Sequence, residues 1–176
     1  ELEGRAQPHE RVFKRDCLEI DFRIGGKPLT LYVVHFKSMG SSRDGIPGRE
    51  WTMPIRRAEA RAVRKIIEDR FHGKTDNKRF AICGDFNDYY EKLVITGDRR
   101  NGFDFTPVSE AGSSLDEFLS DGFTIDPMAR RPVDDRWTLY HTRGPEERHL
   151  CQLDYMLLSP ALAAASPHAE IGRAHV

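Results

Sequence analysis

The sequence is poor in cysteine, methionine and tryptophan, with three, four and two of each in 176 residues. Cys17, Cys83 and Cys151 lie far apart and form no Cys-x-x-Cys pair, which argues against a zinc ribbon or a thioredoxin-type site. Their odd number also argues against a disulfide framework and favours a reducing, cytoplasmic compartment. No apolar run approaches the roughly 20 residues that a membrane-spanning helix needs, and no secretory leader is visible. Neither sign of charge dominates: 27 Lys plus Arg against 28 Asp plus Glu give a net charge of −1. That balance excludes a generally basic nucleic-acid coat, though not a local basic patch.

What remains is the composition of a chain that buries a core. Hydrophobic residues make up 39% and ten are Phe, more aromatic content than a disordered chain carries. The length suits one domain. Leu18, Ile20, Phe22 and Ile24 alternate with Cys17, Glu19, Asp21 and Arg23, which predicts a half-buried strand. Gly25-Gly26 supplies a hairpin turn. Leu29 to Phe36 is apolar on both faces apart from Thr30 and His35 and reads as a central strand covered on both sides. A Gly/Ser/Arg/Pro loop is expected over residues 38–54. A helix follows from about Ile55 to Phe71, with Ile55, Ala58, Ala62, Ile66 and Ile67 as its apolar stripe and Gly73 as its stop. Arg79 to Cys83 is a short strand. Residues 96–112 read as a second loop, and Ser114 with Glu117 as a capping box. Trp137 to His141 and Cys151 to Leu158 read as two last strands around a Gly144-Pro145 turn. The order β-β-α-β-α-β-β predicts a mixed α/β domain.

The sharpest chemical signal is Gly84-Asp85-Phe86-Asn87. Residues two apart in extended chain share a side, so Asp85 and Asn87 are expected to project together while Phe86 enters the core. A carboxylate can hold a divalent cation or take a proton from water, and an amide can donate to a phosphoryl oxygen. An Asx-rich turn that merely ends a strand explains the same residues. An EF-hand does not, because Tyr90 stands where that loop requires Gly. His35, in His35-Phe36-Lys37-Ser38, is either a hydrogen-bonded structural residue or a general acid or phosphate donor. Asp154 interrupts an apolar run, so it is paired if buried and bland if it faces solvent. Lys37, Arg43, Arg49, Arg56 and Arg57 gather positive charge around the long loop. A solvated surface accounts for them, and so does an anionic substrate. Gly25-Gly26-Lys27 is no P-loop, since Pro28 stands where Ser or Thr belongs, and there is no nucleophile elbow.

The order of these motifs resembles the endonuclease/exonuclease/phosphatase superfamily over roughly residues 12–162. The resemblance implies a DNase I-like two-sheet α/β sandwich with flanking helices, and hydrolysis of phosphate esters, chiefly phosphodiesters, with Mg²⁺ or Mn²⁺. It implies that Asp85 positions the attacking water and, with Asn87, helps hold the metal. Asn87 would also hydrogen-bond the scissile phosphate, His35 would contact the phosphate or protonate the leaving group, and Asp154 would orient a catalytic His. Lys37, Ser38 and Arg43 are the matching candidates for substrate contacts. The substrate could be nucleic acid, a phospholipid or an inositol phosphate, and no aromatic–basic interleaving marks a dedicated nucleic-acid groove.

Two features of the pattern are missing. The resemblance implies an Asn and a metal-binding Glu before anything present here, and an Asp-His pair near the end. His168 and His175 are the only histidines after Asp154, and neither follows an Asp. Residues 1–170 therefore read as a partial domain, inactive by itself. Residues 171–176, Ile-Gly-Arg-Ala-His-Val, match one translated frame of a common sequencing adapter and read as an artefact. The rival expectation is a non-catalytic binding or scaffold protein on the same fold.

Overall fold

The computed structural model describes residues 12–144 and 147–166, so the expectation for residues 171–176 lies outside the described residues. In chain order the strands are β1 (Leu18–Ile24), β2 (Lys27–His35), β3 (Phe80–Asp85), β4 (Glu91–Asp98), β5 (Gly102–Ser109), β6 (Leu139–Thr142), β7 (Arg148–Cys151) and β8 (Asp154–Leu158). The helices are α1 (Gly48–Arg70), α2 (Asp116–Leu119) and α3 (Pro160–Ala165). Four strands form one sheet in the order β1-β2-β3-β8, and four form a second in the order β5-β4-β7-β6. Only β2 and β3 run parallel, and their crossover is α1, as parallel neighbours require. This is the α/β, two-sheet arrangement with helices that the sequence led us to expect. Among the described residues no helix is long and apolar enough to cross a membrane.

The core lies on one face of the first sheet. Period-two alternation turns Tyr32, Val34, Phe80, Ile82, Tyr155 and Leu157 inward, against Ala60, Val63 and Ile67 of α1 and Phe118 of α2. The opposite face is open toward its β1 edge, where Leu18, Phe22 and Ile24 are 56%, 43% and 64% exposed, and Met156 on the far edge strand β8 is 39% exposed, whereas Ala81 and Leu158 on the same face are buried. The alternation predicted for β1 is present, but its apolar side has nothing over it. For the same reason β2 is buried on one face only, not on both.

Several boundaries depart from expectation for identifiable reasons. The long loop ends at Pro47, and Pro54 lies inside α1. It is the seventh residue of the helix and offers no N–H to the Glu50 carbonyl four residues before it; in the same stretch Thr52 Oγ1 donates to the Gly48 carbonyl at 2.6 Å and Arg56 Nη2 to that of Arg49 at 2.6 Å. The buried stripe is Thr52, Arg56, Glu59, Ala60, Val63 and Ile67, whereas Ile66 of the expected stripe is 37% exposed. An ion pair with Asp88 for Arg56 and backbone N–H donors for Glu59 let the two occupy positions that pattern reading reserves for apolar residues. The expected 96–112 loop is largely strand, because β4 and β5 form a hairpin in which Ile95 faces Phe105 and Leu93 faces Pro107. Ser114 does not cap α2, whose N-cap is Leu115. The single strand expected over Cys151–Leu158 is two. The chain leaves β7 at Cys151 and enters β8 at Asp154, passing from the second sheet to the first.

Candidate active site

Strand pairing builds the site. His35 is the partner of Asp85 across the parallel β2–β3 ladder, and Asp85 is the partner of Asp154 across the antiparallel β3–β8 ladder. Paired residues project from the same side of a sheet. Three residues far apart in sequence therefore stand in one row at one end of the first sheet, on the face opposite the core. His35 Nε2 lies 3.4 Å from Asp85 Oδ2. Burial pushes the Asp85 carboxyl above its ordinary value, and the Asp154 charge pushes the same way. The N–H of Asn87 and the imidazole of His35 pull it back.

The Gly84-to-Asn87 turn is fixed by three different constraints. Gly84 has φ +135°, and a Cβ there would stand 2.0 Å from the Val34 carbonyl oxygen, so the approach of β3 to β2 admits only glycine. Phe86 is fully buried and meets Phe36, Phe118 and Tyr155 edge to face. Asn87 has φ +50°, a left-handed conformation that asparagine tolerates. Its backbone N–H donates to Asp85 Oδ1 at 2.8 Å, and its Nδ2 donates to the Phe36 carbonyl at 3.1 Å. The first of these bonds is an Asx turn, so the structural and functional explanations of this motif hold together. The second ties the turn to the segment carrying His35 and leaves one amide N–H and the amide oxygen of Asn87 uncommitted by it.

Sequence reasoning missed the polar cluster beneath the turn. Asp88 is fully buried and accepts from Ser114 N at 2.7 Å and Ser114 Oγ at 2.9 Å. Arg49 Nη2 pairs with it at 2.8 Å and Arg56 Nε at 3.5 Å. Burial lowers the Arg56 pKa and Asp88 opposes that shift. Glu59, also fully buried, accepts the Lys37 N–H at 2.7 Å and the Lys14 N–H at 3.3 Å, and burial raises its pKa. Arg15 donates to the carbonyls of His35 and Phe36 at 3.1 and 2.6 Å. Arg49 and Arg56 are thus structural groups rather than members of a solvated face. Arg56 and Glu59 on α1 hold the segments after β3 and β2 respectively. The signal that could have found them is the 56/59/63/67 spacing, which places two charges on the buried stripe of an otherwise ordinary helix.

The expected substrate contacts separate. Lys37 and Ser38 follow directly on the His35 end of β2, and Lys37 Nζ donates to the Ser38 carbonyl at 3.4 Å. Arg43 is engaged elsewhere, with Asp44 at 3.6 Å and with its guanidinium 5.1 Å from the centre of the Trp51 ring. Asp154 is exposed and takes its backbone N–H to Thr138 Oγ1 at 3.0 Å. The imidazole at hand belongs to His35, whose carboxylate partner is Asp85. Carboxylate and amide oxygens are the hard donors that Mg²⁺ and Mn²⁺ take. Among the described residues, however, no group of three or more His, Cys, Asp or Glu could hold a metal ion.

Known proteins add little to this geometry. No family model matches the sequence and no curated protein matches it. Among solved structures, the chain is similar to an endonuclease/exonuclease/phosphatase family protein from Bacteroides thetaiotaomicron, at 16% identity and a TM-score of 0.44. The match covers 77% of this chain and 37% of that one, so the chain spans little more than a third of that protein's length.

Proposed function

We propose that this chain carries part of the active site of a divalent-metal-dependent phosphate-ester hydrolase of the endonuclease/exonuclease/phosphatase type. The observation that supports it is the row His35–Asp85–Asp154, with Asn87 hydrogen-bonded to both Asp85 and Phe36. An imidazole, two carboxylates and an amide meet at a sheet edge open to a substrate.

In this reading Asp85 holds the attacking water and takes its proton, a role to which its raised pKa is suited. The free amide N–H of Asn87 donates to a phosphoryl oxygen. His35 donates to the phosphate or to the leaving-group oxygen, and its contact with Asp85 orients the ring. The charge of Asp154 discourages a second anion at the Asp85 edge. Bound Mg²⁺ or Mn²⁺ would supply Lewis-acid polarisation of the phosphoryl oxygen, and Asp85 with the amide oxygen of Asn87 would help hold it. Lys37 and Ser38 are placed for substrate contact.

The 176 residues contain neither the metal-binding Glu nor the Asp-His pair that the resemblance implies, so the chain alone is expected to be inactive. The test is Mn²⁺-dependent hydrolysis of bis(p-nitrophenyl) phosphate by the chain joined to its genomic flanking sequence. Activity abolished by Asp85→Ala supports the proposal. A folded but inert flanked chain with those groups replaced supports the scaffold reading instead.

A further inference from the structure

The second sheet has an open face of its own. The β4–β5 register pairs Gly97 with Phe103 and Ile95 with Phe105, β4–β7 pairs Leu93 with Leu150, and β6–β7 pairs Tyr140 with Leu150. All these side chains, and Arg148 two residues before Leu150, therefore share one side. Leu93 and Ile95 form its buried floor, whereas Phe103, Phe105 and Tyr140 are 45%, 53% and 49% exposed. The Arg148 guanidinium lies 5.4 Å from the centre of the Phe103 ring. Arg99 and Arg100 are exposed in the turn at the open end of this face.

We propose that this face binds single-stranded nucleic acid, with bases stacked on Phe103 and Phe105 and phosphates held by Arg99 and Arg100. Three observations favour that partner. Phe103 and Phe105 are two residues apart on one strand, hence about 6.8 Å apart at Cα, about twice the roughly 3.4 Å axial spacing of nucleotides along one strand. Exposed aromatics on a four-stranded antiparallel sheet are a platform on which unpaired bases stack. The charge of the face is also one-sided. Glu91 is paired with Arg136. Asp98 turns its carboxylate onto the N–H groups of Arg100 and Asn101, at 2.8 Å each. Asp104, opposite Thr96, belongs to the other side. Sequence reading found no aromatic–basic interleaving because only strand pairing brings residues 99–105, 140 and 148 together. The site does not rest on the phosphoesterase reading.

The test is fluorescence anisotropy with a labelled oligothymidylate of about 12 nucleotides, in EDTA so that nothing is cleaved. Saturable binding is expected, weaker for a duplex of equal length. Phe103→Leu and Phe105→Leu each keep apolar bulk but remove the ring, and each is expected to weaken binding by about 5-fold or more. Phe105→Trp is expected to retain it. Arg99→Ala and Arg100→Ala are each expected to reduce the slope of log K against log salt by about 0.7. Arg99, Arg100, Phe103 and Phe105 are all solvent-exposed, and an unchanged thermal melt confirms folding. Absence of saturable binding, equal affinity after both Phe→Leu changes, or tighter binding to anionic phospholipid vesicles than to the oligonucleotide would overturn the proposal.

Discussion

Replacing Gly84 by alanine isolates the constraint that places Asp85 beside His35. Two costs are separable. The backbone at Gly84 has φ +135°, a region that side chains avoid at a cost of about 1–3 kcal/mol. The added Cβ would also stand 2.0 Å from the Val34 oxygen and 3.1 Å from the Val34 carbonyl carbon. Relief of that contact moves β3 away from β2 by more than 1 Å, roughly the gap between this distance and ordinary contact, and strains the ladder at its Val34–Gly84 step. A broken buried hydrogen bond adds about 1–3 kcal/mol. The sum, about 2–6 kcal/mol, is a large share of the roughly 5–15 kcal/mol that stabilises an ordinary domain. Gly25→Ala is the control. Gly25 has φ +56° with nothing within 4 Å of a Cβ, so only the conformational cost of about 1 kcal/mol applies. Urea unfolding followed by circular dichroism measures both. A Gly84→Ala loss no larger than that of Gly25→Ala would refute the close-approach argument.

Three further outcomes are expected. Asp88→Ala leaves Arg49 and Arg56 buried without their carboxylate and should cost about 3–5 kcal/mol in urea unfolding; a loss under about 1 kcal/mol would show the cluster to be dispensable. Burial first, then His141 and Lys92, push His149 down to about 4 from 6.5. The unfolded chain thus takes the proton first, and stability is complete above about pH 6.5 and lost as pH falls toward about 4. A loss of about 2 kcal/mol across that window, allowing for partial exposure, should largely vanish in His149→Thr, as equilibrium unfolding at several pH values would report. The uncovered Leu18, Phe22 and Ile24 should make the chain self-associate. Leu18→Lys with Phe22→Lys should shift it toward monomer in light scattering, at under about 1 kcal/mol in stability, and a parent chain that is already a monodisperse monomer would contradict this.

Local pattern carried the first sheet far better than the second. Alternation located β1, and the turn at Gly25-Gly26 located its hairpin. The hairpin of β4 and β5 was hidden because Gly97, Gly102 and Pro107 are turn formers in isolation, yet Pro107 sits on an edge strand where a missing N–H is tolerated. The break at Gln152-Leu153 has no Gly or Pro to announce it, since it arises from the chain changing sheets. At the site, Asp85, Asn87 and His35 were legible as types that do chemistry at strand ends. The convergence of His35, Asp85 and Asp154 was not, because it depends on register between strands some 50 and 70 residues apart. The burial of Arg56 and Glu59 was not legible because a helical stripe is read from hydrophobicity, and ion pairs and hydrogen bonds to loops are invisible to that measure.

We propose that Asp85 and Asn87, beside His35 and Asp154, help to hold a hard divalent cation. Titrating Mn²⁺ into isotopically labelled chain and following amide line broadening by NMR tests it directly. Broadening concentrated at residues 35–37, 85–88 and 154, absent from the β4–β5 hairpin and abolished by Asp85→Ala, is the predicted result. No selective broadening at millimolar Mn²⁺, or a pattern unchanged by Asp85→Ala, would contradict it.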